Sequence, residues 1–315
     1  MKNLSVAIIG AGRMGREHIK AFRSVPGVRV TGLLSRTHEK AVALASEFDI
    51  PYVAGSVEEL NNQTKADLVV VAVPELEANQ IAKQCFQYDW SVLLEKPAGY
   101  DLMDAHDIAE AALQSTKPVY VGLNRRFYSS SMQIRERLDA KSADKRFIHI
   151  QDQQSFEEAR ACQHPEKVVQ KFMYANSIHT IDLIRFFARG EITKVVPVIP
   201  WKKEETQIVI SYVEFDSGDH ALYEGIWKGP GPWACSVSTS SIRWTMQPLE
   251  KARYQNVNER TVHDLTLDDI DQQFKAGFYK QAIEVCKGVR GEANKAITLM
   301  DSLKTMDLIH RIFGE

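Results

Sequence analysis

Leu4-Ser5-Val6-Ala7-Ile8-Ile9-Gly10-Ala11-Gly12-Arg13-Met14-Gly15 is the stretch that decides the fold. Its first six residues are short, apolar and β-branched, as a strand buried in a parallel sheet must be. Three glycines follow at the spacing of a strand-to-helix turn. Gly10 permits the tight turn, Gly12 lets the backbone approach a pyrophosphate, and Gly15 lets the next helix pack close to the strand. That helix, expected over Arg13–Ser24 and opened by Arg13 and Met14, offers its first N–H groups and its positive dipole end to phosphates. A glycine triplet alone is often just a turn. With a strand before it and a helix after it, the triplet reads as a dinucleotide fingerprint.

The second strand, Val28–Leu34, ends at Ser35-Arg36-Thr37. An NAD site usually places an acid there to bind the ribose 2′-hydroxyl. A hydroxyl and a guanidinium instead can grip a 2′-phosphate, which an acid would repel. The reading therefore favours NADP, with NAD possible; the plainer alternative is that Arg36 stacks on adenine and Ser35 caps the next helix. Further along, Val92-Leu93-Leu94-Glu95-Lys96-Pro97 is an apolar strand ending in an acid, a lysine and a proline. It aims a lysine at the dinucleotide from another strand end.

Between and beyond these motifs, strands and helices alternate. Helix Thr37–Phe48, strand Pro51–Ala54, strand Asp67–Val73, helix Glu75–Tyr88, strand Ser91–Glu95, helix Leu102–Ser115 and strand Pro118–Leu123 imply an α/β, doubly wound parallel sheet with ligands at its carboxyl edge. After Leu123 the rhythm changes to a helix at Ser130–Leu138, a strand at Arg146–Gln153 and a long helix at Tyr174–Phe187. Strands at Thr193–Ile199, Gln207–Phe215, His220–Lys228, Ala234–Thr239 and Arg243–Met246 follow, with Asp216-Ser217-Gly218-Asp219 as a hairpin turn. Helices at Asp271–Lys287 and Lys295–Phe313 close the chain. This predicts a Rossmann domain over 1–122 and an α+β domain with an open, mainly antiparallel sheet over 123–315. In Ile208–Phe215 both alternating sets are apolar, and Ala221, Tyr223 and Trp227 repeat the pattern. Helices of the same chain can cover one face. The other should be covered too, by a longer layer of the same chain or, as favoured here, by a second copy in a homodimer or homotetramer meeting through the face that carries Tyr212, Tyr223 or Trp227.

Composition excludes several classes. At 315 residues and a net charge of −2, with no basic run, the chain has no marks of a nucleic-acid partner. Cys85, Cys162, Cys235 and Cys286 are scattered, so neither a metal framework nor a disulfide scaffold is indicated, and a cytoplasmic setting is expected. The N-terminal apolar run reads as the first strand rather than a signal peptide, and no stretch reaches membrane-spanning length.

The glycine motif, Ala72-Val73-Pro74 after a strand, Glu95-Lys96-Pro97, Gly122-Leu123-Asn124-Arg125-Arg126-Phe127 and Ser177-Ile178-His179-Thr180-Ile181-Asp182 together resemble the Gfo/Idh/MocA oxidoreductases, named after glucose–fructose oxidoreductase and inositol dehydrogenase. The resemblance runs in order through nearly the whole chain. It implies an NAD(P)-dependent oxidoreductase that moves a hydride between nicotinamide and a hydroxyl or keto carbon of a sugar, polyol or sugar derivative. By that resemblance Val73, Pro74, Glu95 and Lys96 border the cofactor and Lys96 bonds the reacting oxygen. His179 is the acid or base on its helix; Asp182, one turn along by spacing, anchors that helix rather than performing chemistry. Asn124, Arg126, Tyr174 and Asn176 are possible substrate contacts.

The chain also departs from that pattern. Ala175 stands where an Asp is common, Ala78 where a His is common, and Ser238-Thr239-Ser240-Ser241 replaces a glycine-bearing turn. Two alternatives therefore stay open: a glycosidase of the same family with retained cofactor, and a non-catalytic dinucleotide-sensing regulator.

Overall fold

A computed structural model describes residues 3–141 and 143–314. The chain divides into two compact units: the residues through Asn124 together with Gln272–Leu303, and Arg125–Asp271 together with the residues from Lys304.

In the first unit the described residues form six parallel strands, β1 (Leu4–Ile9), β2 (Val28–Leu34), β3 (Tyr52–Ala54), β4 (Leu68–Val71), β5 (Ser91–Leu94) and β6 (Val119–Val121), in the order β3-β2-β1-β4-β5-β6. Helices α1 (Arg13–Arg23), α2 (His38–Phe48), α3 (Val57–Thr64), α4 (Glu75–Cys85) and α5 (Leu102–Ala112) connect them. The strand order reverses between β1 and β4, which opens a crevice beyond their carboxyl ends. The whole of β4 and β5 is buried, in keeping with their unbroken apolar sequence.

The second unit carries α6 (Ser129–Asp139), α7 (Phe156–Ala161), α8 (Glu166–Val169), α9 (Ile178–Phe187) and an eight-stranded sheet among its described residues. The strands are β7 (Phe147–Gln153), β8 (Ile192–Ile199), β9 (Ile208–Phe215), β10 (His220–Ile226), β11 (Ala234–Ser238), β12 (Ile242–Met246), β13 (Arg253–Asn256) and β14 (His263–Asp264), ordered β14-β13-β12-β11-β7-β10-β9-β8. Only β7 and β10 run parallel; the other pairs are antiparallel.

The chain passes from the first unit to the second after Asn124 and later comes back. The predicted helix over Asp271–Lys287 is broken into α10 (Ile270–Gln273) and α11 (Phe278–Val289), with left-handed Gly277 between them. The chain then returns to the first unit. Phe278, Ala282, Val285 and Cys286 of α11 join the core built by α1, β1 and β2. The fit is close: a Cβ at Gly288 would sit 2.1 Å from the Tyr120 hydroxyl. Beyond α11, the Val121 N–H donates to Ile297 O at 2.8 Å, ahead of the last helix, α12 (Leu299–Phe313).

The two-faced apolar strands are also sorted differently from expectation. Val209, Val213, Ala221 and Tyr223 are fully buried on one face, where the Phe313 ring lies 5.9 Å from both Tyr223 and Trp227. That face is covered from within the chain. Ile208, Ile210, Tyr212, Leu222 and Ile226 lie on the other face and stay half-buried. Tyr223 and Trp227 therefore drop out as candidates for association, and Tyr212 remains. The hairpin turn forms as predicted, with Gly218 at φ +78°. Among the described residues no helix is long and apolar enough to cross a membrane.

Candidate functional site

Each glycine of the first loop has a distinct geometric reason. At φ +116°, Gly10 lies so close to the end of β4 that a Cβ would meet Ala72 O at 2.1 Å. A Cβ at Gly15 would fall 1.9 Å from Gly10 O, so α1 packs directly onto the loop. Gly12 is different: a Cβ there meets nothing within 4 Å. It caps α1 with no side-chain bond and no acid in the first turn. Open space thus lies against a helix N-terminus whose first N–H groups lack intrahelical partners. The cradle fits a dinucleotide pyrophosphate, and Arg13 and Met14 border it.

The neighbouring strand ends complete this edge. The Gly10 N–H donates to Leu34 O at 2.7 Å, joining the glycine loop to the end of β2 just before Ser35. Thr37 is the N-cap of α2, so the role of helix cap proposed for Ser35 belongs to Thr37. The Arg36 side chain is 77% exposed and pairs with Glu77 of α4. Val73 and Pro74 link β4 to α4, with Pro74 at the N-cap. Ala78, in the same helix, is buried.

At the end of β5 the two charged residues part company. Lys96 is half-buried, while the Glu95 carboxylate turns inward. It accepts from His18 Nε2 at 2.6 Å and from the Lys96 N–H at 3.2 Å. His18 escaped the sequence reading. Its signal was a histidine three residues beyond the last glycine, on an otherwise apolar helix face.

In the second unit, the predicted helix over Tyr174–Phe187 opens as a π-helical turn, Met173–Ser177, before continuing as α9. Such turns concentrate at functional sites. Tyr174 and Ala175 are buried in it, and Asn176 donates to Gln154 Oε1 at 2.8 Å. His179 is half-buried, its ring 6.5 Å from that of Trp233. Trp233 in turn lies 4.1 Å from the Arg125 guanidinium and donates through Nε1 to Gln153 O at 2.7 Å. Burial pulls the Arg125 pKa below its ordinary value. Trp233 carried no signal in the sequence, and Arg125 only its place in the Gly122–Phe127 run; the fold stacks the two and sets the Trp233 ring near His179.

Asp182 is an anchor, as its spacing suggested. It is 2% exposed and takes Arg126 Nε and Nη2 at 2.7 and 2.6 Å, with the Thr305 hydroxyl at 2.8 Å. Arg126, expected as a substrate contact, thus fixes α9 through Asp182. Asn124 is likewise engaged inside the first unit, donating to Ala276 O at 2.9 Å.

Residues 4–123 match the Gfo/Idh/MocA model, the oxidoreductase family with an NAD-binding Rossmann fold. Inositol 2-dehydrogenase 1 of Paenarthrobacter aurescens is 31% identical over 201 residues, covering 62% of this chain and 57% of the relative. The 4-carboxy-2-hydroxymuconate-6-semialdehyde dehydrogenase of a Sphingobium species is 23% identical over 195 residues, covering 61% of each. The matched region is thus less than two thirds of either relative. In fold, the crystal structure of a dehydrogenase from Chromobacterium violaceum superposes with a TM-score of 0.85 over 99% of this chain and 94% of that one, at 19% identity. Over residues 4–123 the chain is thus similar to the NAD-binding Rossmann segment of the Gfo/Idh/MocA oxidoreductases.

Proposed function

We propose that this protein is an NAD(P)-dependent dehydrogenase or reductase acting on a CH–OH group of a sugar, polyol or sugar derivative. The observation that carries this reading is the open cradle at Gly12 beside a strand end that presents Lys96. The inositol 2-dehydrogenase relative supports the polyol class. When bound, nicotinamide supplies the hydride acceptor or donor. The chain's own part is to hold the pyrophosphate at the α1 N-terminus and to stabilise charge on the reacting oxygen. Lys96 does the latter, as a cation bonded to the oxygen that becomes negative as hydride leaves its carbon. His179 takes the hydroxyl proton in oxidation and returns it in reduction.

NADP is the favoured cofactor. Ser35 and Arg36 follow β2 where an acid would oppose a 2′-phosphate, and Arg36 is exposed enough to reach one. The protein works as a homo-oligomer associated through the sheet face that carries Tyr212.

Purified protein should be screened against sugars, polyols and nucleotide sugars by nicotinamide absorbance. Net cofactor turnover with at least one of them is the expected result. Binding of cofactor with no turnover across the panel would refute the dehydrogenase reading and favour a regulator. Glycoside cleavage without net turnover would favour a glycosidase.

A further inference from the structure

We propose that His18 is the positioning residue for Lys96, acting through Glu95. The proposal rests on the dehydrogenase reading above for the role of Lys96, though not for the geometry. His18 sits on α1 among Gly15, Ile19 and Phe22, and is 1% exposed. Its ring is held 4.7 Å from Phe278 and 6.1 Å from Phe22. A histidine so enclosed requires a hydrogen-bond partner, and a carboxylate so enclosed requires a donor. Each meets the other's need at 2.6 Å.

The bond does more than satisfy two polar groups. Glu95 is gripped from three elements. His18 of α1 donates to Oε1, and the Lys96 N–H at the end of β5 donates to Oε2. Gly122, just past β6, leaves only enough room, since a Cβ there would lie 3.3 Å from Oε1. The carboxylate therefore fixes the peptide from which the Lys96 side chain departs. His18 also rides on the helix whose N-terminus forms the phosphate cradle. Five residues separate Arg13 from His18, about 7.5 Å of helix at 1.5 Å per residue. One rigid helix thus sets both the cradle and, through Glu95, the lysine. A simple core histidine would need neither a carboxylate partner nor this link.

The test uses the full-length protein with two substitutions. His18→Leu keeps apolar bulk between the two phenylalanines but removes the donor, and His18→Gln restores a donor. Lysines are reductively methylated with ¹³C, and the Lys96 resonance is assigned by its loss in Lys96→Arg. The expected result is a shifted, broadened Lys96 resonance in His18→Leu and recovery in His18→Gln, with cofactor affinity unchanged in both. Turnover should follow the resonance, falling on the order of 10²-fold in His18→Leu as misplacement of a catalytic group does. An unmoved Lys96 resonance in His18→Leu would overturn the proposal, as would lost turnover that His18→Gln fails to rescue. If the wild type turns over no substrate, the dehydrogenase reading fails while the resonance still decides the positioning role. If His18→Leu does not fold, Glu95→Gln is measured instead, and an unchanged Lys96 resonance there is equally refuting.

Discussion

Alanine at Gly12 separates cofactor binding from folding. Its backbone, at φ −85°, suits alanine, and the new methyl meets no protein atom within 4 Å. Replacing glycine where the conformation is compatible leaves stability unchanged or raises it by about 0.4–1 kcal/mol, through the unfolded chain. Cofactor binding should respond in the opposite direction, because the methyl projects into the space assigned to the pyrophosphate. Forcing a methyl into a close-packed contact costs about 1–3 kcal/mol. That range corresponds to roughly a 5- to 150-fold weaker dissociation constant. Gly15→Ala is the control. Its Cβ would fall 1.9 Å from Gly10 O, so α1 must move away and the fold itself loses stability. The assay pairs urea unfolding of the cofactor-free protein with titration of NADPH fluorescence. Wild-type affinity in Gly12→Ala would refute the placement of the pyrophosphate. Lost stability in Gly12→Ala would refute the claim that the space is open.

Four further outcomes are expected. Arg36→Ala should weaken NADPH but not NADH by about 1.5 kcal/mol, roughly tenfold, the low end for a charge-assisted bond because the side chain is exposed and shared with Glu77; equal losses in fluorescence titrations would count against the 2′-phosphate grip. Steady-state kinetics on a real substrate should show Lys96→Ala slowed ~10²–10³-fold and His179→Ala ~10²–10⁴-fold, the latter with a flattened rise of oxidation rate through the histidine range. A second protonatable group such as Tyr174 becomes the base if His179→Ala keeps its pH profile. Asp219 is 0% exposed and accepts from Arg189 Nη2, Nε and N and from Arg146 N at 2.6–2.9 Å. Burial pushes its carboxyl up, but the Arg189 bonds and the two backbone N–H groups outweigh this and hold it below the usual carboxylate range. Its folded pKa is thus depressed, so its stabilisation is full above the ordinary aspartate value of about 3.9 and fades as pH falls through the lower folded value. Asp219→Asn should cost about 3 kcal/mol in urea unfolding at neutral pH and flatten the stability profile at acid pH; an unchanged midpoint would refute this. Light scattering at micromolar concentration should find at least a dimer, and Leu222→Glu on the half-buried sheet face should reduce it to a monomer.

The parallel sheet was legible because its strands are buried on both sides and announce themselves as unbroken apolar runs, as in Leu68–Val71 and Ser91–Leu94. The glycine loop was legible because Gly10 and Gly15 answer local steric demands at the spacing a strand-to-helix turn sets, with Gly12 facing open space between them. Helix α3 escaped, although Ser56 accepts from the Glu59 N–H at 3.0 Å and the Ser-x-x-Glu spacing is a known helix start. The short strands β13 and β14 at one end of the sheet escaped for a different reason: Arg253–Asn256 and His263–Asp264 are polar and partly exposed, so no apolar alternation marks them. The sorting of the two apolar sheet faces could not be read locally either. Which set lies inward depends on where Phe313 lands, roughly ninety residues on from Tyr223. Arg125, Trp233 and His179 are neighbours for the same reason, through contacts made across long stretches of chain.

The return of α11 to the first unit has a consequence for how the protein is made. Phe278, Ala282, Val285 and Cys286 complete a core whose other walls come from strands near the N-terminus. During synthesis those walls emerge first and wait while about 150 residues of a different unit are translated. Until then His18 lacks the Phe278 ring that packs against it at 4.7 Å. Assembly of the dinucleotide unit is therefore a late event, gated by loop closure across more than half the chain rather than by local propensity. A gene truncated after Asn124 would carry every nucleotide-binding motif and still produce a domain with an open seam along α1. Any attempt to transplant this cofactor module would have to bring its last helix with it.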